Sequence, residues 1–250
     1  MDELYQEPKL VEVYDTLNSS RADFDFYRAQ LPPAPVAVAD LGCGTGSFAI
    51  ELSDAGYAVT GIEPAAAMLA CARAKDPSGK VRWIEGTMVD VPKHVRFDAV
   101  VMTGHAFQCI LRDEDITSLF QQIEQHLCPG GVFLFETRNP AARAWERCTP
   151  EHAGAPVQLA DGSSVRVIHQ IEHVDGPLVT FSETYEFAGP TASFQSISTL
   201  RFMTADQIAE LAYRAGLSAE RVWGDWNGVT YEPEHSEEII FWLERRSEAI

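Results

Sequence analysis

A chain of 250 residues can bury one full α/β core with an embellishment, and its 37 acidic against 19 basic residues leave a formal net charge of −18. Nucleic-acid affinity rests on Lys and Arg neutralising phosphates, so an acidic field with no Lys/Arg run argues against DNA, RNA or an anionic membrane as partner. Five cysteines without a C-x-x-C pair, no basic and apolar leader after Met1, and no apolar run of membrane-spanning length point to reduced thiols in a soluble, cytoplasmic protein.

Ahead of the first strand, Leu10, Val11, Tyr14 and Leu17 recur at helical spacing, and Asn18-Ser19-Ser20 reads as a stop followed by a new cap. A second helix over Ala22 to Leu31 ends at Pro32-Pro33. Next comes Val38-Ala39-Asp40-Leu41-Gly42-Cys43-Gly44-Thr45-Gly46, an apolar run closed by an acid and three alternating glycines, before Phe48 to Leu52 resume a helical pattern. The reading is strand, tight loop, helix. Glycines admit positive φ and let a ligand approach the main chain. A phosphate at the helix N-terminus is the first ligand to test, and two features oppose it. The third glycine falls one residue early for G-x-G-x-x-G, with Ser47 in its place, and Asp40 would repel a pyrophosphate. An adenosyl ligand with no phosphate and a cationic amino-acid tail fits better. Its ammonium suits Asp40, and its ribose hydroxyls suit the acid that ends the next strand, Ala58-Val59-Thr60-Gly61-Ile62-Glu63-Pro64. S-adenosylmethionine meets those terms.

Asp40, the G-x-G-x-G of 42–46 and Glu63 together resemble the signature of the class I S-adenosylmethionine-dependent methyltransferases. The resemblance implies an α/β, Rossmann-like fold: a seven-stranded, mostly parallel sheet in the order 3-2-1-4-5-7-6, its seventh strand antiparallel. It implies S-adenosylmethionine as cofactor, S-adenosylhomocysteine as product, and cofactor contacts from Asp40, Gly42, Cys43, Gly44, Glu63 and Pro64. In the alanine-rich helix Ala65 to Ala74, Met68 takes the apolar position near ribose and adenine. Residues 1–33 become a helical lid, with Tyr5, Tyr14, Arg21 and Tyr27 as candidates and Tyr14 as the cofactor contact. After the third strand, Val81 to Glu85, many relatives carry an Asp on the adenine amine. Thr87 stands there instead, which leaves that contact to the Thr87 hydroxyl, Asp90 or a backbone carbonyl, with Met88 covering the ring.

The fourth strand, Phe97 to Met102, is a near-continuous apolar run, as expected of a strand buried on both faces. Ligands of doubly wound sheets bind outside the carboxyl ends of the strands, so Thr103 and Gly104 are expected at the cofactor and His105 near the transferred methyl. His105 is the candidate general base; the alternative is a hydrogen bond to the loop or the cofactor carboxylate. An activated methyl can also be transferred by alignment alone. The Asn/Asp-Pro-Pro-aromatic motif is absent, which argues against the amino groups of nucleobases and glutamine as acceptors. Asp113 to His126 is a helix with Ile116, Leu119, Phe120 and Ile123 as its buried stripe. A Pro129-Gly130-Gly131 turn leads to the fifth strand, Val132 to Glu136. At its end Glu136 is a candidate for an acceptor amine, and Arg138 and Asn139 for a carboxylate or hydroxyl. The alternative for all three is a capping network around Trp145.

Between Val157 and Phe202 the pattern alternates at period two, with Asp175-Gly176 as a hairpin turn. It resembles the small antiparallel lid sheet of methyltransferases acting on aminosugars and other metabolites. His169 and His173 are expected on one face, and no metal site is expected there. A capped helix from Thr204 to Gly216 and two strands, Ser218 to Asp225 and Glu237 to Arg245, close the chain, with Trp226, Asn227 and Tyr231 between them. The organisation expected is a single domain: lid 1–33, cofactor core 34–140, inserted sheet 157–203 and closing segment 204–250. The activity expected is methyl transfer to N or O of a small-molecule acceptor, with a homodimer left open. The alternatives are a non-catalytic protein binding S-adenosylmethionine or S-adenosylhomocysteine, and a NAD-linked oxidoreductase.

Overall fold

The computed structural model describes residues 3–189 and 193–246. Two helices come first, α1 (Pro8–Leu17) and α2 (Ala22–Gln30). Pro8 sits in the first turn of α1, where its missing N–H costs nothing. The strands and helices of the cofactor half then alternate: β1 (Ala37–Leu41), α3 (Ser47–Asp54), β2 (Ala58–Glu63), α4 (Ala66–Lys75), β3 (Arg82–Glu85), β4 (Phe97–Met102), α5 (Asp113–His126) and β5 (Leu127–Arg138). A second sheet of β6 (Val157–Gln158), β7 (Ser164–Asp175), β8 (Leu178–Phe187) and β9 (Phe194–Arg201) follows. The last elements are α6 (Ala205–Arg214), β10 (Leu217–Trp223) and β11 (Glu238–Arg245).

The main sheet runs β10-β11-β5-β4-β1-β2-β3. Counting its own strands alone, that is the expected 3-2-1-4-5-7-6, and β11 lies antiparallel to β5 with Ile240 opposite Glu136. Side-chain alternation along β5 distributes the core. Phe133 and Phe135 pack on one face with Phe107, Phe120 and Phe241, under α5 and α6. Val132 and Leu134 pack on the other with Phe26, Tyr27 and Phe48, under α2 and α3. Two glycines owe their identity to this packing. A Cβ on Gly61 would lie 2.4 Å from the Trp83 ring, and one on Gly46 would lie 2.6 Å from it.

Two expectations need correcting. The fifth strand begins at Leu127 rather than Val132: the Pro129-Gly130-Gly131 stretch is a bulge inside the strand, with Gly130 at φ +77° and the register to β4 shifted between Phe97 and Ala99. In β7 a bulge between Ile171 and His173 shifts the pairing by one residue. His169 lies opposite Glu183, whereas His173 lies opposite Thr180 and so points to the other face. The inserted sheet is ordered β6-β7-β8-β9, and its edge strand β9 runs beside the short turns at 3–5 and 106–109. Residues 190–192 of its last connection lie outside the described residues.

Candidate active site

The carboxyl ends of β1, β2, β3 and β4 open on a cavity of about 830 Å³. Its floor is Leu41, Gly42, Gly44, Glu63 and Pro64, and one wall is Gly86 to Val89 together with Leu119 and Gln122 of α5. Met102, Thr103 and Gly104 line it below β4, Tyr5 and Tyr14 cover it, and Ile197 to Leu200 of β9 close it.

Asp40 is fully buried, and neither of its carboxylate oxygens has a hydrogen-bond partner among the described residues. Burial first, and the Glu63 charge second, push its carboxyl up to about 7; the Ala49 amide, short of hydrogen-bond geometry, pulls weakly the other way. A buried acid left without a donor is costly unless a partner arrives. Glu63 is held more completely: Oε2 accepts from the Gly44 N–H at 2.9 Å and Oε1 from the Ala65 N–H at 2.8 Å. Each carboxylate oxygen retains a second lone pair, and Glu63 lines the cavity. At Gly44, φ is +54° and a Cβ would meet nothing within 4 Å, so this glycine leaves open space rather than relieving a clash.

Of the other sequence-derived candidates, Tyr14, Gly42, Pro64, Thr87, Met88, Thr103 and Gly104 line the cavity. Burial, with Glu63 second, pushes the Tyr14 phenol up to about 12. Asp90 is committed to its own turn, where its carboxylate accepts from the Thr87 N–H at 2.8 Å. The Thr87 hydroxyl belongs to the same turn, 3.5 Å from the Asp90 carboxylate. Cys43 is not in the wall; its sulfur would lie 3.2 Å from a Cβ on Gly61 and so packs over the sheet. Met68 is 1 % exposed and packs with Val11 and Ala65 beneath α1, because the rotation of α4 turns it inward.

Position 105 and the end of β5 differ most from expectation. The His105 imidazole does not line the cavity; its Nε2 lies 2.8 Å from Glu238 Oε2. Glu136, 1 % exposed, is held away from any acceptor by the Tyr27 hydroxyl and by the His105 main-chain N–H, the latter at 2.6 Å. Arg138 stands behind the wall, donating to Gln108 Oε1 at 3.0 Å. Asn139 is an anchor: its Nδ2 donates to the Pro233 and Ser236 carbonyls at 2.8 Å each, and its Oδ1 caps the turn at 140–142. The capping alternative describes Asn139. Missed from sequence were the α5 face of Asp115, Ser118, Leu119 and Gln122 and the β9 edge. The polar side of an amphipathic helix carries no signal that separates a cavity wall from solvent.

Glu63 and Gly44 line the cavity, whereas Asp40 does not: it is buried beneath the loop of 42–46 that forms the cavity floor. Bound there, S-adenosylmethionine supplies an electrophilic methyl on a sulfonium. Among the described residues no group of His, Cys, Asp and Glu is arranged to hold a metal ion, and no helix is long and apolar enough to cross a membrane.

The sheet order is that of the class I S-adenosylmethionine-dependent methyltransferases, and similarities to known methyltransferases support that class. A family model described as a methyltransferase domain matches residues 38–131. The chain is 26% identical over 209 residues to the cypemycin N-terminal methyltransferase of a Streptomyces species, covering 84% of this chain and 83% of that one. It is 26% identical over 236 residues to the dTDP-3-amino-3,6-dideoxy-alpha-D-glucopyranose N,N-dimethyltransferase of Streptomyces fradiae, covering 88% of each. Among solved structures, S-adenosylmethionine-bound CalS10, an amino pentose methyltransferase from Micromonospora echinaspora, superposes with a TM-score of 0.71 at 25% identity, over 94% of this chain and 95% of that one.

Proposed function

We propose that this enzyme methylates the nitrogen of a small amine, of the size of an amino sugar or amino acid, in the cytoplasm and without a nucleic-acid partner. The cavity carries the argument on size. Pockets for single small ligands run from roughly 300 to 1,000 Å³, so about 830 Å³ roofed by β9 suits a cofactor with a compact acceptor and not a polymer. Among the described residues its wall carries no His, Lys or Arg. An amine that has lost its proton to solvent needs alignment with the methyl rather than a base, and the Tyr14 phenol stays neutral at physiological pH. Relatives whose names specify N-methylation of an amino sugar and of a peptide N-terminus support nitrogen over oxygen.

In this reading Asp40 takes the cofactor ammonium, Glu63 the ribose diol, Gly42 and Gly44 the main-chain contacts, and Thr87 and Met88 the adenine. Tyr14 covers the cofactor from the lid segment, and the acceptor enters between Tyr5, Tyr14 and the β9 edge. The test is S-adenosylhomocysteine release with product mass, across amino sugars, amino acids, phenols and carboxylic acids. Methylated amines are the expected products; turnover of phenols with none of the amines would overturn the reading.

A further inference from the structure

We propose that Glu136 is a positioning residue for methyl transfer, and that position 105 contributes its main-chain N–H rather than its imidazole. The inference rests on methyl transfer occurring beside Thr103 and Gly104, which line the cavity immediately before His105. His105 is in the left-handed region at φ +57°, one of two non-glycine residues there among those described. Non-glycine residues are uncommon in that region, and His is one of the types found there. The turn is tethered: the His105 N–H donates to Glu136 Oε1 at 2.6 Å, and the second oxygen of the same carboxylate accepts from the Tyr27 hydroxyl.

The three groups belong to three parts of the chain. Glu136 lies two residues before the end of β5, Tyr27 is fully buried on α2, and His105 opens the turn after β4. One carboxylate therefore ties the N-terminal helices to the loop that forms the cavity wall. Burial pushes the Glu136 carboxyl above its ordinary range, and these two bonds are the only hydrogen bonds it makes among the described residues. The imidazole has another occupation, 2.8 Å from Glu238 and outside the cavity. Such a chain fixes where Thr103 and Gly104 stand without touching the reacting atoms.

Three variants decide it: Glu136→Gln, Tyr27→Phe and His105→Asn. Asn tolerates the left-handed conformation and keeps the N–H but has no ring base. Exchange of the main-chain amide at position 105 is followed in protein saturated with S-adenosylhomocysteine. kcat and acceptor KM are measured with the best amine of the panel above. Glu136→Gln is expected to speed exchange of that amide at least about tenfold. It is expected to lower kcat by about 10²-fold, as small misplacements do, with S-adenosylhomocysteine affinity held within about threefold. Tyr27→Phe, which removes one hydroxyl, should move both readouts the same way by less. His105→Asn should keep the slow amide and lose less than about tenfold in kcat. A His105→Asn enzyme as inactive as Glu136→Gln, with its amide still protected, would assign the chemistry to the imidazole and overturn the proposal. So would Glu136→Gln leaving both amide exchange and kcat unchanged, or losing cofactor affinity and melting temperature along with kcat. The exchange experiment needs no acceptor, so it reads the anchor even if every amine in the panel fails.

Discussion

Replacing Asp40 by Asn should make the free enzyme more stable at pH 8 and bind its cofactor more weakly. Burial, with Glu63 behind it, moves this carboxyl from 3.8 to about 7. A native pKa above the unfolded one means the folded protein holds the extra proton between those values. Stability therefore falls as pH rises from about 4 to about 7, and that loss persists at higher pH. About three pH units at 1.36 kcal/mol each is about 4 kcal/mol carried by the free enzyme above pH 7. The Asn amide is itself buried without a partner, which returns about 1–3 kcal/mol of that gain. A net 1–3 kcal/mol should raise Tm by about 2–12 °C in a chain of this size. Removing one partner of a buried charge pair costs about 2–5 kcal/mol, so the Kd for S-adenosylmethionine should rise at least about 30-fold. Thermal scans of both proteins from pH 6 to 9, with titration calorimetry of the cofactor, provide the measurements. For wild type, affinity should also improve as pH rises through 7, since the ammonium requires the ionised acid. A variant less stable than wild type at pH 8, or one binding the cofactor within threefold of it, would refute the reasoning.

The two kinds of glycine should separate cleanly. Gly44→Ala meets no atom but is strained by about 1–2 kcal/mol at φ +54°; it should fold and lose cofactor binding by calorimetry. Gly61→Ala drives a Cβ to 2.4 Å from Trp83 and should cost about 1–3 kcal/mol, with a change in tryptophan emission. Glu63→Ala leaves the Gly44 and Ala65 amides unpaired and removes the diol acceptor, so S-adenosylhomocysteine affinity should fall about 10- to 100-fold, read by the same calorimetry. Because the Tyr14 phenol is pushed up to about 12, its ionisation contributes no limb between pH 7 and 10. Tyr14→Phe should then change the rate but not the shape of the pH–rate profile over that range; loss of a limb would contradict the assignment.

Much of the cofactor half was legible because its determinants are local. Asp40, the glycines of 42–46 and Glu63 lie within two strand–loop–helix units, where an alternation of apolar, acidic and glycine residues prescribes both the turn and the atoms it exposes. The same holds for the buried run of β4 and for the Asp175-Gly176 hairpin. Met68 was misplaced because an alanine-rich helix offers little contrast between its faces, and neighbouring Val11 on α1 decided which side was covered. His173 was misplaced because one bulge inverts every side chain beyond it.

What the sequence determined by itself was the class of ligand. Two acids at adjoining strand tips and an open main chain between them are a chemical statement, readable without coordinates. The hydrogen-bond partners of Glu136, His105 and Asn139 are visible only in the tertiary structure. Each lies at a strand end or loop where residue type admits both acceptor contact and internal anchoring. Partners distant in the chain, Tyr27 for Glu136 and the 233–236 carbonyls for Asn139, consume those groups. A buried polar atom binds whatever reaches it first in space, and that distance is a property of the packed fold.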